Sequence, residues 1–245
     1  MSSKEYENWR QIGWNGIRLM TPKIWEPARI GNRYLMLEDA NGPTLELKWN
    51  RMKTKFDLAA YLKRITRDFK KKTGHDVTEW RFPGRIQQIL PRFEAAGFQW
   101  QGGKMAGKGL VLFCPRCQCA SLIQFYENRV TNPVKENAKQ TALILKSYRD
   151  HSKRGWLLWS LFDIRAMLPE SYRMLRYSFS AGAFELAFKA GRESVYLYRW
   201  GPASVILMKT GLTDFAGRTL PLCSEPSQRG NSKSEKTEIE LECLP

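Results

Sequence analysis

Two thiols three residues apart, Cys114-Pro115-Arg116-Cys117, are the part of this sequence with the clearest capacity for chemistry. Thiolates at that spacing can hold one metal ion from a tight turn, and Cys119 could add a third ligand, but a structural zinc needs four. The other His and Cys residues are His75, His151, Cys223 and Cys243, and none forms a second knuckle. The default reading is a turn of reduced cysteines, with zinc on Cys114, Cys117 and Cys119 as the alternative. A redox pair is disfavoured, because that motif belongs at a helix N-terminus, where the dipole lowers the thiol pKa.

Other groups that could act on a ligand are basic. Lys63, Arg64, Arg67, Lys70, Lys71 and Lys72 crowd one stretch, and Lys104 and Lys108 sit in a Gly-rich segment, residues 102 to 108. That segment lacks the Gly-Lys-Ser/Thr ending of a P-loop and the Gly-x-Gly-x-x-Gly spacing of a dinucleotide fold, so it reads as a flexible hairpin tip able to touch a phosphate backbone. Neither histidine has a recognisable nucleophile or base beside it. Glu38-Asp39 are adjacent strand residues that point to opposite faces. No catalytic residue is nominated, and the tryptophans read as core packing more readily than as stacking platforms for bases.

The elements that position these groups follow from hydrophobic period. Strands are expected over 16–22, 33–39 and 44–49, with Asn41-Gly42 as a hairpin turn. Leu58, Leu62, Ile65 and Phe69 recur at helical spacing beneath the basic residues, and Gly74 is placed to end the helix. Residues 77–82 suit a strand, 85–96 are ambiguous, and 98–101 with 110–113 read as a hairpin around the Gly-rich tip. A strand over 119–126 follows. Asn132-Pro133 should open a second helix running toward Arg149.

After His151 the opening pattern returns: Ile164-Arg165 and Trp156 each lie 147 residues after Ile17-Arg18 and Trp9. Lys48-Trp49 likewise finds a counterpart in Arg199-Trp200. Order and spacing together predict a duplicated unit, the second copy ending in a shorter helix over 202–209. The expected divisions are 1–150, with the basic helix and cysteine hairpin, then 151–223, then a flexible tail over 224–245, rich in Ser, Glu, Lys and Gly.

Pro22-Lys23-Ile24-Trp25, ending a strand ahead of a meander and a helix, resembles the PsbP-like fold group, as does Pro169-Glu170-Ser171-Tyr172 in the second copy. The resemblance implies an α+β fold: two related antiparallel-sheet units with packed helices. It also implies a non-enzymatic binding, assembly or accessory role, and it brings no catalytic residues with it.

Charge completes the expectation. The net charge is +16, and residues 51–154 hold 22 Lys/Arg against 8 Asp/Glu, whereas the rest of the 245 residues are nearly balanced. Such a field attracts phosphate backbones, anionic lipid or acidic proteins. The absence of an apolar leader or an 18-residue apolar run, together with the odd number of cysteines, five, predicts a soluble cytoplasmic chain with reduced thiols and no membrane insertion. The reading is a non-enzymatic binding protein whose basic segment engages nucleic acid. A protein-interaction or assembly subunit with an acidic partner is the alternative, and an enzyme of unknown reaction the third.

Overall fold

Pairing starts from two hairpins far apart in sequence. The computed structural model describes residues 6–103, 105–128, 134–152, 154–208 and 210–220. In it β1 (Trp9–Trp14) returns as β2 (Ile17–Pro22) through Asn15-Gly16, both at positive φ. β10 (Trp156–Leu161) returns as β11 (Ile164–Pro169) through Phe162-Asp163, again both at positive φ. The hairpins share one register, with Trp9 opposite Pro22 and Trp156 opposite Pro169. β1 and β10 then pair antiparallel, giving a four-stranded sheet in the order β11-β10-β1-β2. Gly13 permits this pairing: a Cβ there would lie 2.5 Å from the Leu158 carbonyl oxygen. Ile12, Trp14, Ile17 and Leu19 are buried with Trp159, Leu161 and Ile164, and the Trp14 and Trp159 rings meet edge to face at 5.4 Å.

The meander continues as β3 (Glu26–Gly31), β4 (Tyr34–Asp39) and β5 (Gly42–Arg51), with the expected turn joining β4 to β5. β5 also pairs with β9 (Cys119–Asn128), followed outward by β8 (Met105–Cys114), β7 (Glu94–Gly102) and β6 (Val77–Glu79). These make a seven-stranded antiparallel sheet. Between β5 and β6 lies α1 (Leu58–Thr73), half-buried: Leu58, Leu62, Ile65 and Phe69 pack on a cluster of Phe98, Trp100, Val111 and Leu122. α2 (Gly84–Ile89) buries Ile86, and α3 (Val134–Ser147) runs against β2 with Leu143, Ile144 and Leu145 buried.

A second compact unit begins at Arg173. It holds a three-stranded meander, β12 (Arg173–Ser180), β13 (Ala183–Ala190) and β14 (Glu193–Trp200), then a single turn α4 (Ala203–Ile206) and α5 (Leu212–Thr219). The chain is therefore α+β, with antiparallel sheets and a few helices.

Several expectations change in detail. The first unit runs to Tyr172, not to 150, because β10–β11 completes the sheet begun by β1–β2. Most of the seven-residue Gly-rich segment is strand and not tip: Gly102 pairs with Met105, and residues 105–109 are strand. Gly107 and Gly109 are there because rings cross them. A Cβ at Gly109 would lie 2.1 Å from the Phe98 ring, and one at Gly107 would lie 2.5 Å from the Trp100 indole nitrogen. The helix expected over 202–209 contracts to α4, and α5 was not anticipated. The Asn132-Pro133 helix start and the 224–245 tail lie outside the described residues. No helix among the described residues is long and apolar enough to cross a membrane.

Candidate functional site

The cysteine motif occupies the turn between β8 and β9. Cys114 and Cys119 are register partners, and the chain crosses between them through residues 115–118, with Gln118 at φ 55. The Gln118 side-chain amide donates to the Pro115 carbonyl at 2.7 Å, and the Met52 N–H donates to the Gln118 carbonyl at 2.7 Å. The turn is thus held from inside and from the end of β5.

A second segment, leaving α3, comes down over this turn. The Met20 N–H donates to Ser147 Oγ at 2.8 Å, and Arg149 exchanges two backbone hydrogen bonds of 2.8 Å with Arg18 of β2. Between them Tyr148 is fully buried. Its hydroxyl donates to Ser121 Oγ at 2.7 Å, and its carbonyl accepts from the Arg92 guanidinium. With residues 147–149 fixed at these points, Asp150 and His151 are aimed at the cysteine turn.

There the Cys117 thiol donates to Asp150 Oδ2 at 3.0 Å, and Cys114 Sγ lies 3.9 Å from His151 Nδ1. Asp150 Oδ1 lies 2.9 Å from His151 Nδ1 but outside hydrogen-bond geometry, and that buried oxygen has no other partner among the described residues. One ligand atom from each of Cys114, Cys117, Asp150 and His151 falls within 4.8 Å of the others. Burial pushes the Cys114 thiol up to about 11. The Cys117 thiol is also raised, first by its hydrogen bond with Cys119, then by burial and the Asp150 carboxylate. All three described cysteines are free thiols.

Cys119, expected as the third ligand, is outside this group of four. Its sulfur is buried 3.7 Å from Ser121 Oγ. Asp150 was not nominated from sequence at all, and His151 was set aside for lack of a neighbour. No spacing rule could have found either, since α3 lies between them and the cysteines.

The basic residues form a second locale on α1. Asp57 caps the helix, its carboxylate accepting from the Ala60 N–H at 2.9 Å, and Lys70, Lys71 and Lys72 stand in the last turn, where the helix dipole favours cations. A shallow cleft of about 530 Å³ is lined by Lys63, Arg64, Arg67 and Lys70, with Ala60, Thr66 and Val77. Lys70 pairs with Asp76 at 2.6 Å, Arg67 reaches Asp68 at 3.7 Å, and the Arg64 guanidinium stands 4.9 Å over the Tyr61 ring. Among the described residues no carboxylate pairs with Lys63, Lys71 or Lys72. Lys108 is not at a loop tip: it lies in β8 with its ammonium on Glu127 at 2.9 Å. Lys104 lies outside the described residues.

Packing accounts for most of the tryptophans. Trp14, Trp25, Trp49, Trp100 and Trp159 are buried, whereas Trp156 is 48% exposed. A further concavity of about 590 Å³ lies at the β1–β10 pairing, beside Arg10, Asp163 and Arg165. Its arginines are engaged, Arg10 with Glu26 at 2.9 Å and Arg165 with Gln11 Oε1 at 3.1 Å.

No protein-family model matches the chain, and no curated protein matches it by sequence. Some solved structures superpose on part of the chain. The Ran-binding protein Mog1p of Saccharomyces cerevisiae superposes with a TM-score of 0.38 at 8% identity, over 58% of this chain and 95% of that one. A Mog1 point mutant gives 0.40 at 9% identity over 60% and 97%, and a Bacteroides thetaiotaomicron protein gives 0.36 at 9% over 62% and 53%. These likenesses transfer neither a partner nor a site.

Proposed function

We propose that this chain is a non-enzymatic interaction protein that docks an acidic segment of a protein partner on the α1 face. The observation that carries the reading is the cleft lined by Lys63, Arg64, Arg67 and Lys70 together with Ala60, Thr66 and Val77. Four cations around apolar ground suit a peptide that alternates carboxylates with small apolar side chains. The aromatic residues nearest the helix, Phe56, Tyr61, Phe69 and Trp100, belong to the core cluster or pack against it. That favours an acidic protein over single-stranded nucleic acid, which uses aromatic faces beside the bases as stacking platforms. Free thiols suit a reducing compartment such as the cytoplasm.

The test compares wild-type protein with the double charge reversal Lys63→Glu/Arg67→Glu, using a fluorescent Glu/Ala-rich peptide and a single-stranded oligonucleotide of equal charge. The peptide is expected to bind wild type and to lose about tenfold or more in the variant, two surface charge contacts being worth roughly 1–2 kcal/mol together. Oligonucleotide binding that is tighter than peptide binding and collapses steeply with salt would move the assignment to a nucleic acid backbone. Equal peptide binding by wild type and variant would remove α1 from the interface.

A further inference from the structure

We propose that Cys114, Cys117, Asp150 and His151 form a closed structural zinc site that fastens the β8–β9 turn to the segment leaving α3. Two thiolates, an imidazole and a carboxylate are the donor types zinc takes up, and four protein ligands complete a tetrahedron with no position left for a substrate.

The geometry is close to that tetrahedron. With Zn–S near 2.3 Å and Zn–N or Zn–O near 2.0 Å, ligand atoms should stand roughly 3.3–3.8 Å apart. The Cys114 Sγ to His151 Nδ1 distance is already 3.9 Å, and every ligand pair lies within 4.8 Å. Shifts of up to about 1–1.5 Å bring the widest pair to those separations, and the 2.9 Å between Asp150 Oδ1 and His151 Nδ1 opens slightly.

An independent observation is the carboxylate. The Asp150 side chain has no solvent exposure, and its Oδ1 has no hydrogen-bond donor among the described residues, lying 2.9 Å from the His151 Nδ1 nitrogen outside hydrogen-bond geometry. A buried carboxylate oxygen left without a donor is costly, and a divalent cation held by the carboxylate, the imidazole and the two sulfurs satisfies it directly. On binding, the two thiol protons pass to solvent, including the one now shared by Cys117 with Asp150 Oδ2.

The positioning around the ligands has the character of support for a metal site. Gln118 and Met52 hold the turn, and Arg149 and Tyr148 are locked to Arg18 and Ser121 immediately before the Asp150-His151 pair. A metal here cross-links residues 33 to 37 apart in sequence, and joins the seven-stranded sheet to the segment clamped on β2 of the four-stranded one.

The experiment uses the full chain purified under reducing conditions. Metal analysis is expected to find one zinc per chain. Cobalt(II) added to chelator-stripped protein should give the intense visible bands of tetrahedral coordination together with a thiolate charge-transfer band. Cys117→Ser and His151→Ala should each lose the metal, Cys119→Ser should retain it, and His151→Cys should retain it with a stronger thiolate band. The last variant keeps the test decisive if the alanine variant fails to fold. Wild-type protein that takes up no cobalt, that binds iron in place of zinc, or that carries a Cys114–Cys117 disulfide would overturn the proposal. So would loss of metal in Cys119→Ser with retention in His151→Ala.

Discussion

Glu46 is a buried carboxylate in the middle of β5, and it organises two tyrosines. It accepts from the Tyr126 hydroxyl at 3.0 Å through Oε2, while Oε1 pairs with Lys48 at 2.8 Å. Burial, and then the Glu46 charge, pushes Tyr34 up to about 12 and Tyr126 higher still above its ordinary value. Both phenols therefore keep their protons in the folded chain at a pH where the unfolded chain has begun to lose them, near 10. A raised folded-state pKa means that the folded state binds more protons, so its contribution to stability is complete below pH about 10 and is lost as the pH rises toward 12. Denaturant unfolding across pH 8 to 12 should give a free energy that starts to fall near 10, and absorbance titration should show tyrosines ionising late. Glu46→Gln preserves an acceptor but removes the charge, and should bring the late ionisation down; an unchanged titration would break the link to Glu46. At this scale the sequence was partly legible. Cys114-x-x-Cys117 announced itself, whereas Asp150 and His151 reach it only because the Arg149–Arg18 bridge returns the chain. Gly107 and Gly109 misled, since glycine required by crossing rings is spelled the same way as glycine required by a turn.

α1 was legible in its body and its end, from an apolar stripe at helical spacing and Gly74 after it, while its Asp57 cap was read only from the structure. Two of the strands before it, β1 and β3, were less so. β3 carries Pro27 and Gly31, lies at a sheet edge and has a register shift between Pro27 and Arg29, so its residues show no period of two. β1 was missed because Trp9 to Trp14 buries its residues only toward one end. α1 has no fully buried residue, and its hold on the sheet is correspondingly light. Removing the cap by Asp57→Ala should cost about 1 kcal/mol, most of it as local opening. Hydrogen exchange of α1 amides should then quicken by roughly fivefold while β8 and β9 amides keep their rates. Equal acceleration in both would mean that α1 opens only with the whole unit.

One hairpin register occurs at Trp9–Pro22 and again at Trp156–Pro169, and in chain order each hairpin is followed by three antiparallel strands. The spacing of Ile17-Arg18 and Ile164-Arg165 in the sequence said nothing of how the two segments pair. It assigned the later hairpin to the later unit, because nothing local says that β10 will seek β1. The partnership rests on shape: the bare backbone of Gly13 under Leu158, and the Trp14–Trp159 contact behind it. Fragments decide the matter. A chain ending at Tyr172 retains both hairpins and the whole first compact unit, and should unfold in one cooperative transition with native tryptophan emission. A chain ending at residue 155 lacks β10 and β11. It exposes the face of Trp14 that Trp159 covers and leaves the β1 edge unpaired, so it should lose cooperativity and bind hydrophobic dyes. If the shorter fragment were as cooperative as the longer one, the four-stranded sheet would be an accessory to the first unit, and the division at 150 read from the repeat would be the physical one after all.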